Sequence, residues 1–101
     1  MYLHEDRKDL STKTLNMKRA IDSLREELEA IDWYQQRAEA CSNASLKHIL
    51  VHNRDEEKEH AAMLIEWIRQ HDEEFSKYLK RYLFSPTPAV VGKVEKDQEK
   101  K

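Results

Sequence analysis

Backbone-breaking residues are confined to the carboxyl-terminal end of this 101-residue chain. The two prolines are Pro86 and Pro88, the single glycine is Gly92, and the first 85 positions contain neither residue type. Glycine and proline punctuate turns, so an uninterrupted stretch of this length favours long helices over a sheet with many turns. We therefore predict an all-α chain, and its length allows one small domain.

Polar capping residues divide this stretch into three predicted helices. The first is expected to begin after an N-cap at Ser11 and to end near Cys41, and the second to run from about Ser45 to Gln70. A short third helix should follow Asp72 and end near residue 84, because a residue that precedes proline disfavours helical geometry. The predicted fold is an antiparallel two-helix hairpin with a short C-terminal helix.

Charge and composition exclude several classes of function. Lysine and arginine number 18 against 20 aspartates and glutamates, so the formal net charge of −2 gives no electrostatic footprint for nucleic acid or an acidic membrane surface. No run of 18 apolar residues predicts a membrane span. One cysteine, Cys41, cannot form an internal disulfide, which is typical of a reducing compartment. We expect a cytoplasmic protein that binds neither nucleic acid nor membranes.

Charged residues stand on the apolar faces of both long helices. Residues that alternate four and three positions apart lie on one face of the second helix. The ends of this face are apolar, but its middle is Asn53, Glu57 and His60. The first helix places Glu27 inside its own apolar stripe. Burial of an unpaired carboxylate is costly, so such groups normally pair, take up a proton or bind a metal ion.

The spacing of these residues favours a metal site. Glu57 and His60 are three apart and project the same way from a helix, so both can reach one ion. Ferritin-like dinuclear sites need one Glu from each of two helices and a Glu-x-x-His motif from each of two others. One chain supplies half of this set in Glu27, Glu57 and His60. Two chains would complete it in a ferritin-like four-helix bundle, with Fe(II), Mn(II) or Zn(II) as suitable ions.

Two other interpretations fit the same residues. In a structural helical oligomer or adaptor without metal, Asn53, Glu57 and His60 would only set the register of the helices. In a different di-metal carboxylate protein, the same ligands would serve another metal or reaction. Trp33 and Tyr34 are expected to pack against neighbouring side chains, as most aromatic residues on an apolar helix face do.

Three stretches of the sequence resemble the encapsulated ferritin family: Glu26–Tyr34, His52–Met63 and Tyr82–Phe84. The likeness covers roughly residues 15–85 without gaps. It implies a half-bundle domain over residues 1–85, which dimerises into a four-helix bundle and assembles further into an open ring, typically a decamer. It also implies a ferroxidase, in which Fe2+ is oxidised by O2 at a di-iron centre shared across a subunit interface.

The resemblance also implies roles for particular residues. The iron ligands would be Glu27, Glu57 and His60 from both chains, with Glu57 as the bridging carboxylate. A second, weaker site for a divalent cation such as Ca2+ would lie near the route by which iron arrives, and Tyr34 would lie next to the iron centre. This second site maps to Glu26 and Glu29, with Trp33 beside it.

Members of the family act inside an encapsulin shell, which stores the iron. The resemblance therefore implies an encapsulin partner and a location inside a cytoplasmic nanocompartment. Residues 86–101 form a polar tail in this prediction. Within the tail, the stretch Val91-Gly92-Lys93-Val94 has the apolar-Gly-x-apolar pattern of a cargo-loading peptide, since glycine lets an extended segment press close to a groove.

Overall fold

The computed structural model describes residues 2–88 and 91. This part of the chain contains no strand; it forms a short 3-10 turn at Arg7–Asp9 and three helices, which are α1 (Thr12–Ala40), α2 (Ala44–His71) and α3 (Glu73–Tyr82). The predicted all-α fold is confirmed for one chain, and dimerisation into a four-helix bundle stays a prediction. None of the described helices has the length and apolar character that a membrane span requires.

Side-chain caps fix the starts of all three helices. Ser11 Oγ accepts the backbone N–H of Thr14 at 3.1 Å, as the sequence predicted for α1. The other two caps are Asn43, which starts α2 one residue earlier than predicted, and Asp72, which starts α3. Each cap satisfies a backbone donor that has no partner inside its helix, and this is why short polar residues stand at these positions.

The helix α3 ends two residues before the predicted position. Leu83 has an extended backbone conformation, and Phe84 has φ 57°, in the left-handed region that residues other than glycine seldom adopt. The helix therefore ends before Ser85, the residue whose position next to Pro86 was expected to terminate it. Phe84 is fully exposed as a result.

The two long helices pack against each other as an antiparallel hairpin with very little core. The buried apolar residues in the described part of the chain are Ala20, Ala38, Ala61 and Ile68. Larger side chains stay open to solvent, among them Leu28, Ile49 and Met63, which are 52 %, 55 % and 58 % exposed. A single hairpin therefore leaves much of its apolar face uncovered, which is typical of a surface that another protein chain covers.

The division of the chain at residue 85 stays a prediction. Of the proposed cargo-loading stretch, only Val91 belongs to the described residues, and its side chain is exposed. The remaining three residues of that stretch, Gly92, Lys93 and Val94, lie outside them.

Candidate metal centre

Three predicted ligands meet between the two long helices. Glu27 comes from α1, and Glu57 and His60 come from α2; one ligand atom from each lies within 4.8 Å of the other two. His60 Nδ1 is 3.6 Å from Glu27 Oε2 and 3.5 Å from Glu57 Oε2. The structure thus brings together the three residues that the sequence pattern grouped.

The fold explains this arrangement from local geometry. Residues three apart on a helix are neighbours on its surface, so Glu57 and His60 point the same way. The antiparallel packing of α1 then brings Glu27 opposite both of them. The side chains of Glu27 and Glu57 are 23 % and 24 % exposed, and that of His60 is 42 % exposed, so the cluster is partly shielded but reachable from one side.

One oxygen of Glu27 lacks a satisfactory partner. Oε2 is buried and accepts no hydrogen bond. The nearby His60 nitrogen, at 3.6 Å, is beyond the usual hydrogen-bond range. A buried polar oxygen without a partner destabilises the fold by about 1–3 kcal/mol, and a charged one by more. A bound cation would remove this penalty, so the residues present fit a metal ion.

The chemistry of the ligand atoms limits which metal ions suit this cluster. Two carboxylates and one imidazole provide oxygen and nitrogen ligands without sulfur, a set that suits Fe(II), Mn(II) and Zn(II). Three ligands from one chain leave further coordination positions open.

The residues assigned to the second cation site are not part of this cluster. Glu26 and Glu29 are exposed on α1, and neither belongs to the three-residue group. Trp33 is 49 % exposed, so the packing expected for it does not occur within one chain. The guanidinium of Arg37 lies over its ring at 5.7 Å and over the ring of Tyr34 at 5.6 Å. Such cation–π contacts hold exposed aromatic rings in place.

A second polar contact joins α1 and α2 close to the candidate centre. Arg54 Nη1 donates to Gln35 Oε1 at 2.7 Å, and Arg54 Nε donates to Asp55 Oδ1 at 3.0 Å. The hydrogen bond from Arg54 lowers the pKa of Asp55 below its ordinary value. The sequence analysis did not identify Gln35 or Arg54; the signal it could have used is that Arg54 stands three residues before the candidate ligand Glu57.

Comparisons with known proteins identify the family of the chain. Residues 2–86 match the model of a protein family described as EncFtn-like. The chain belongs to the EncFtn-like family. The family resemblance found in the sequence is therefore confirmed.

Relatives of the EncFtn-like chain come from several bacteria. A Rhodospirillum rubrum protein named encapsulated ferritin-like protein is 52 % identical over 88 residues, which are 87 % of this chain and 63 % of the relative. This chain thus spans less than two thirds of that relative's length. A Thermotoga maritima protein named ferritin-like protein is 45 % identical over 85 residues, which are 84 % of this chain and 75 % of the relative.

A solved structure has the same fold as this EncFtn-like chain. It is the crystal structure of a Nitrosomonas europaea protein, with 58 % sequence identity and a TM-score of 0.85. The match covers 89 % of this chain and 99 % of the other.

Proposed function

We propose that this protein is a ferroxidase that oxidises Fe2+ with O2 at a di-iron centre built by two copies of the chain. The observation that carries the proposal is the buried Glu27 oxygen without a hydrogen-bond partner, facing Glu57 and His60. Membership of a ferritin-like family supports iron as the metal among those the ligands suit.

The proposed centre requires two chains because one chain supplies only half of the ligands. A ferritin-like di-iron site uses four carboxylates and two histidines on four helices. Two hairpins provide this set when they face each other across the cluster. Two exposed apolar side chains near the cluster support a partner chain there. Leu28 is next to Glu27 in the sequence, and Met63 lies one helical turn after His60. The dimer is therefore the minimal active unit, and a ring of dimers, as in a decamer, is its proposed assembly.

The residues of this centre bind the two Fe2+ substrate ions and hold them near each other. Glu57 is the proposed bridging carboxylate, while Glu27 and His60 each complete the ligands of one iron. In the structure His60 Nδ1 faces the carboxylates, so this nitrogen is the proposed donor to iron. Two Fe2+ ions give up one electron each. O2 accepts the electrons together with protons from solvent, and Fe3+ leaves as oxo or hydroxo species.

Exposed residues on α1 complete the proposed route for iron. Glu26 and Glu29 are one turn apart and open to solvent, so their carboxylates attract divalent cations such as Fe2+ or Ca2+ towards the centre. Trp33 borders this secondary site. Tyr34, which is half-buried and lies under the Arg37 guanidinium, is the proposed neighbour of the iron ligands.

An encapsulin shell is the proposed protein partner. The printed name of the Rhodospirillum rubrum relative includes the word encapsulated, which supports packaging of this chain in such a shell. Its location would then be the interior of a cytoplasmic nanocompartment, where the Fe3+ product is stored. The tail over residues 86–101 is the segment proposed to dock into the shell.

Anaerobic titration with Fe2+ tests the centre independently of oxidation. We expect saturation at one Fe2+ per chain, which is two per dimer, with tight binding lost in Glu57→Ala. The matched control is Glu39→Ala, an exposed glutamate about 18 Å along α1 from Glu27. Equal Fe2+ binding by both variants would contradict the proposal and favour a structural oligomer without metal. Tight binding of Mn2+ or Zn2+ but not Fe2+ would favour a different di-metal protein.

A further inference from the structure

The Arg54 side chain connects the two long helices through a hydrogen bond. Its side chain is only 21 % exposed, and its donors reach Gln35 on α1 and Asp55 on its own helix. The bond to the Gln35 amide oxygen, at 2.7 Å, links residues that are 19 positions apart in the sequence. The guanidinium is therefore turned towards α1 by a cross-helix contact.

The position of Arg54 in the sequence offers it another partner. Arg54 precedes Glu57 by three residues, a spacing at which opposite charges pair on a helix surface. An arginine–carboxylate pair uses both carboxylate oxygens and is among the stronger hydrogen-bonded contacts in proteins. A metal ion and Arg54 would compete for the same Glu57 oxygens. A contact between Arg54 and Glu57 would therefore make this carboxylate less available as a ligand.

We propose that Gln35 is a positioning residue, which holds Arg54 against α1 and thereby keeps the Glu57 carboxylate free for a divalent cation. The inference rests on the proposed metal site and adds a residue to it that makes no contact with the metal. In the structure Glu57 Oε2 faces His60 at 3.5 Å while Arg54 is bound to Gln35 and Asp55.

A pair of variants separates this role from simple support of the hairpin. Gln35→Met keeps the length and helix propensity of the side chain but removes the hydrogen-bond acceptor. We expect this variant to bind Co(II), a probe that air does not oxidise at the site, about tenfold more weakly, as when a group that orients a metal ligand is lost. The double variant Gln35→Met/Arg54→Met should recover wild-type affinity, because it lacks the competing guanidinium.

Visible absorption of bound Co(II) gives the affinities, and circular dichroism gives the helix content of each variant. Unchanged affinity in Gln35→Met would overturn the inference. Equal losses in the single and the double variant would also overturn it, because Gln35 would then act only by supporting the packing of the helices.

A crystal structure of metal-free Gln35→Met tests the same idea without any metal binding. We expect a nitrogen of Arg54 to lie within 4 Å of a Glu57 oxygen; Arg54 still turned towards α1 would contradict the inference. This readout also separates the two proposals. A wild-type protein that binds no Co(II) would contradict the metal centre, while the position of Arg54 in the variant would still decide the role of Gln35.

Discussion

His60 Nδ1 lies 3.6 Å from Glu27 Oε2, although the two residues belong to different helices. The distance is too long for a good hydrogen bond, yet it is short enough for both atoms to bind one ion. The hairpin therefore holds ligand atoms near each other without letting them satisfy one another. This arrangement destabilises the chain locally, and a bound cation would relieve it.

Glu27→Gln should stabilise the metal-free protein, because it removes a charge from the partly buried cluster. An effect of about 1 kcal/mol would raise the melting temperature by about 4–8 °C in a domain of this size. Added Fe2+ under anaerobic conditions should raise the melting temperature of the wild type but not that of the variant. Differential scanning calorimetry measures both shifts. A less stable metal-free variant would mean that Glu27 contributes to the fold rather than to a cation site.

Leu28→Glu should prevent the protein from assembling. Leu28 is 52 % exposed in one chain and stands next to Glu27, so a partner that completes the centre would bury it. A charge at this position would then lose its hydration in the interface, at a cost of several kcal/mol. Light scattering after size-exclusion chromatography should give the mass of a single chain. Ser42→Glu, which adds the same side chain to the exposed turn between α1 and α2, should assemble normally.

The sequence predicted the helices because the signals that define them are local. Ser11 and Asp72 each accept a hydrogen bond from a backbone N–H three residues later. Because this contact is local, tertiary packing changes the start of such a helix very little. The pairing of Glu57 with His60 was also predictable, because a spacing of three residues places both on one face of a helix. Glu27 could be added to them because it interrupts the apolar stripe of the first helix.

Other features depend on contacts that helix periodicity does not specify. Gln35 meets Arg54 only because the two helices adopt a particular rotation and register, which residues 19 positions apart do not reveal. Trp33 remains half exposed, because nothing in the described hairpin covers it. The packing predicted for this residue stays a prediction.

The pairing of Glu66 with Arg69 predicts a stability effect in acid. Hydrogen bonds from Arg69, and then from Gln70, lower the pKa of Glu66 from 4.5 to about 2. A carboxyl with a lower pKa in the folded state stabilises the fold above its unfolded pKa, and this contribution is lost as the pH falls through the folded value. The melting temperature of the wild type should therefore exceed that of Glu66→Gln by a constant, small amount above about pH 5, and the difference should disappear between pH 4.5 and 2. A difference that persists at pH 2 would contradict the role of the pair.

Deletion of residues 86–101 should abolish packaging and leave oxidation intact. The candidate ligands all lie in α1 and α2, whereas the proposed docking stretch lies in the tail. Co-expression with an encapsulin shell protein, followed by isolation of intact shells, measures how much of each chain is enclosed. Equal loading of the deleted and full-length chains would refute the assignment of the tail.

Stopped-flow absorbance tests the central claim most directly. Protein loaded anaerobically with Fe2+ is mixed with oxygenated buffer, and Glu57→Ala and Glu39→Ala are run in parallel. We predict a fast ferric signal in the wild type and Glu39→Ala, and only the slow background oxidation of free Fe2+ in Glu57→Ala. Wild-type traces no faster than those of Glu57→Ala would contradict the ferroxidase proposal.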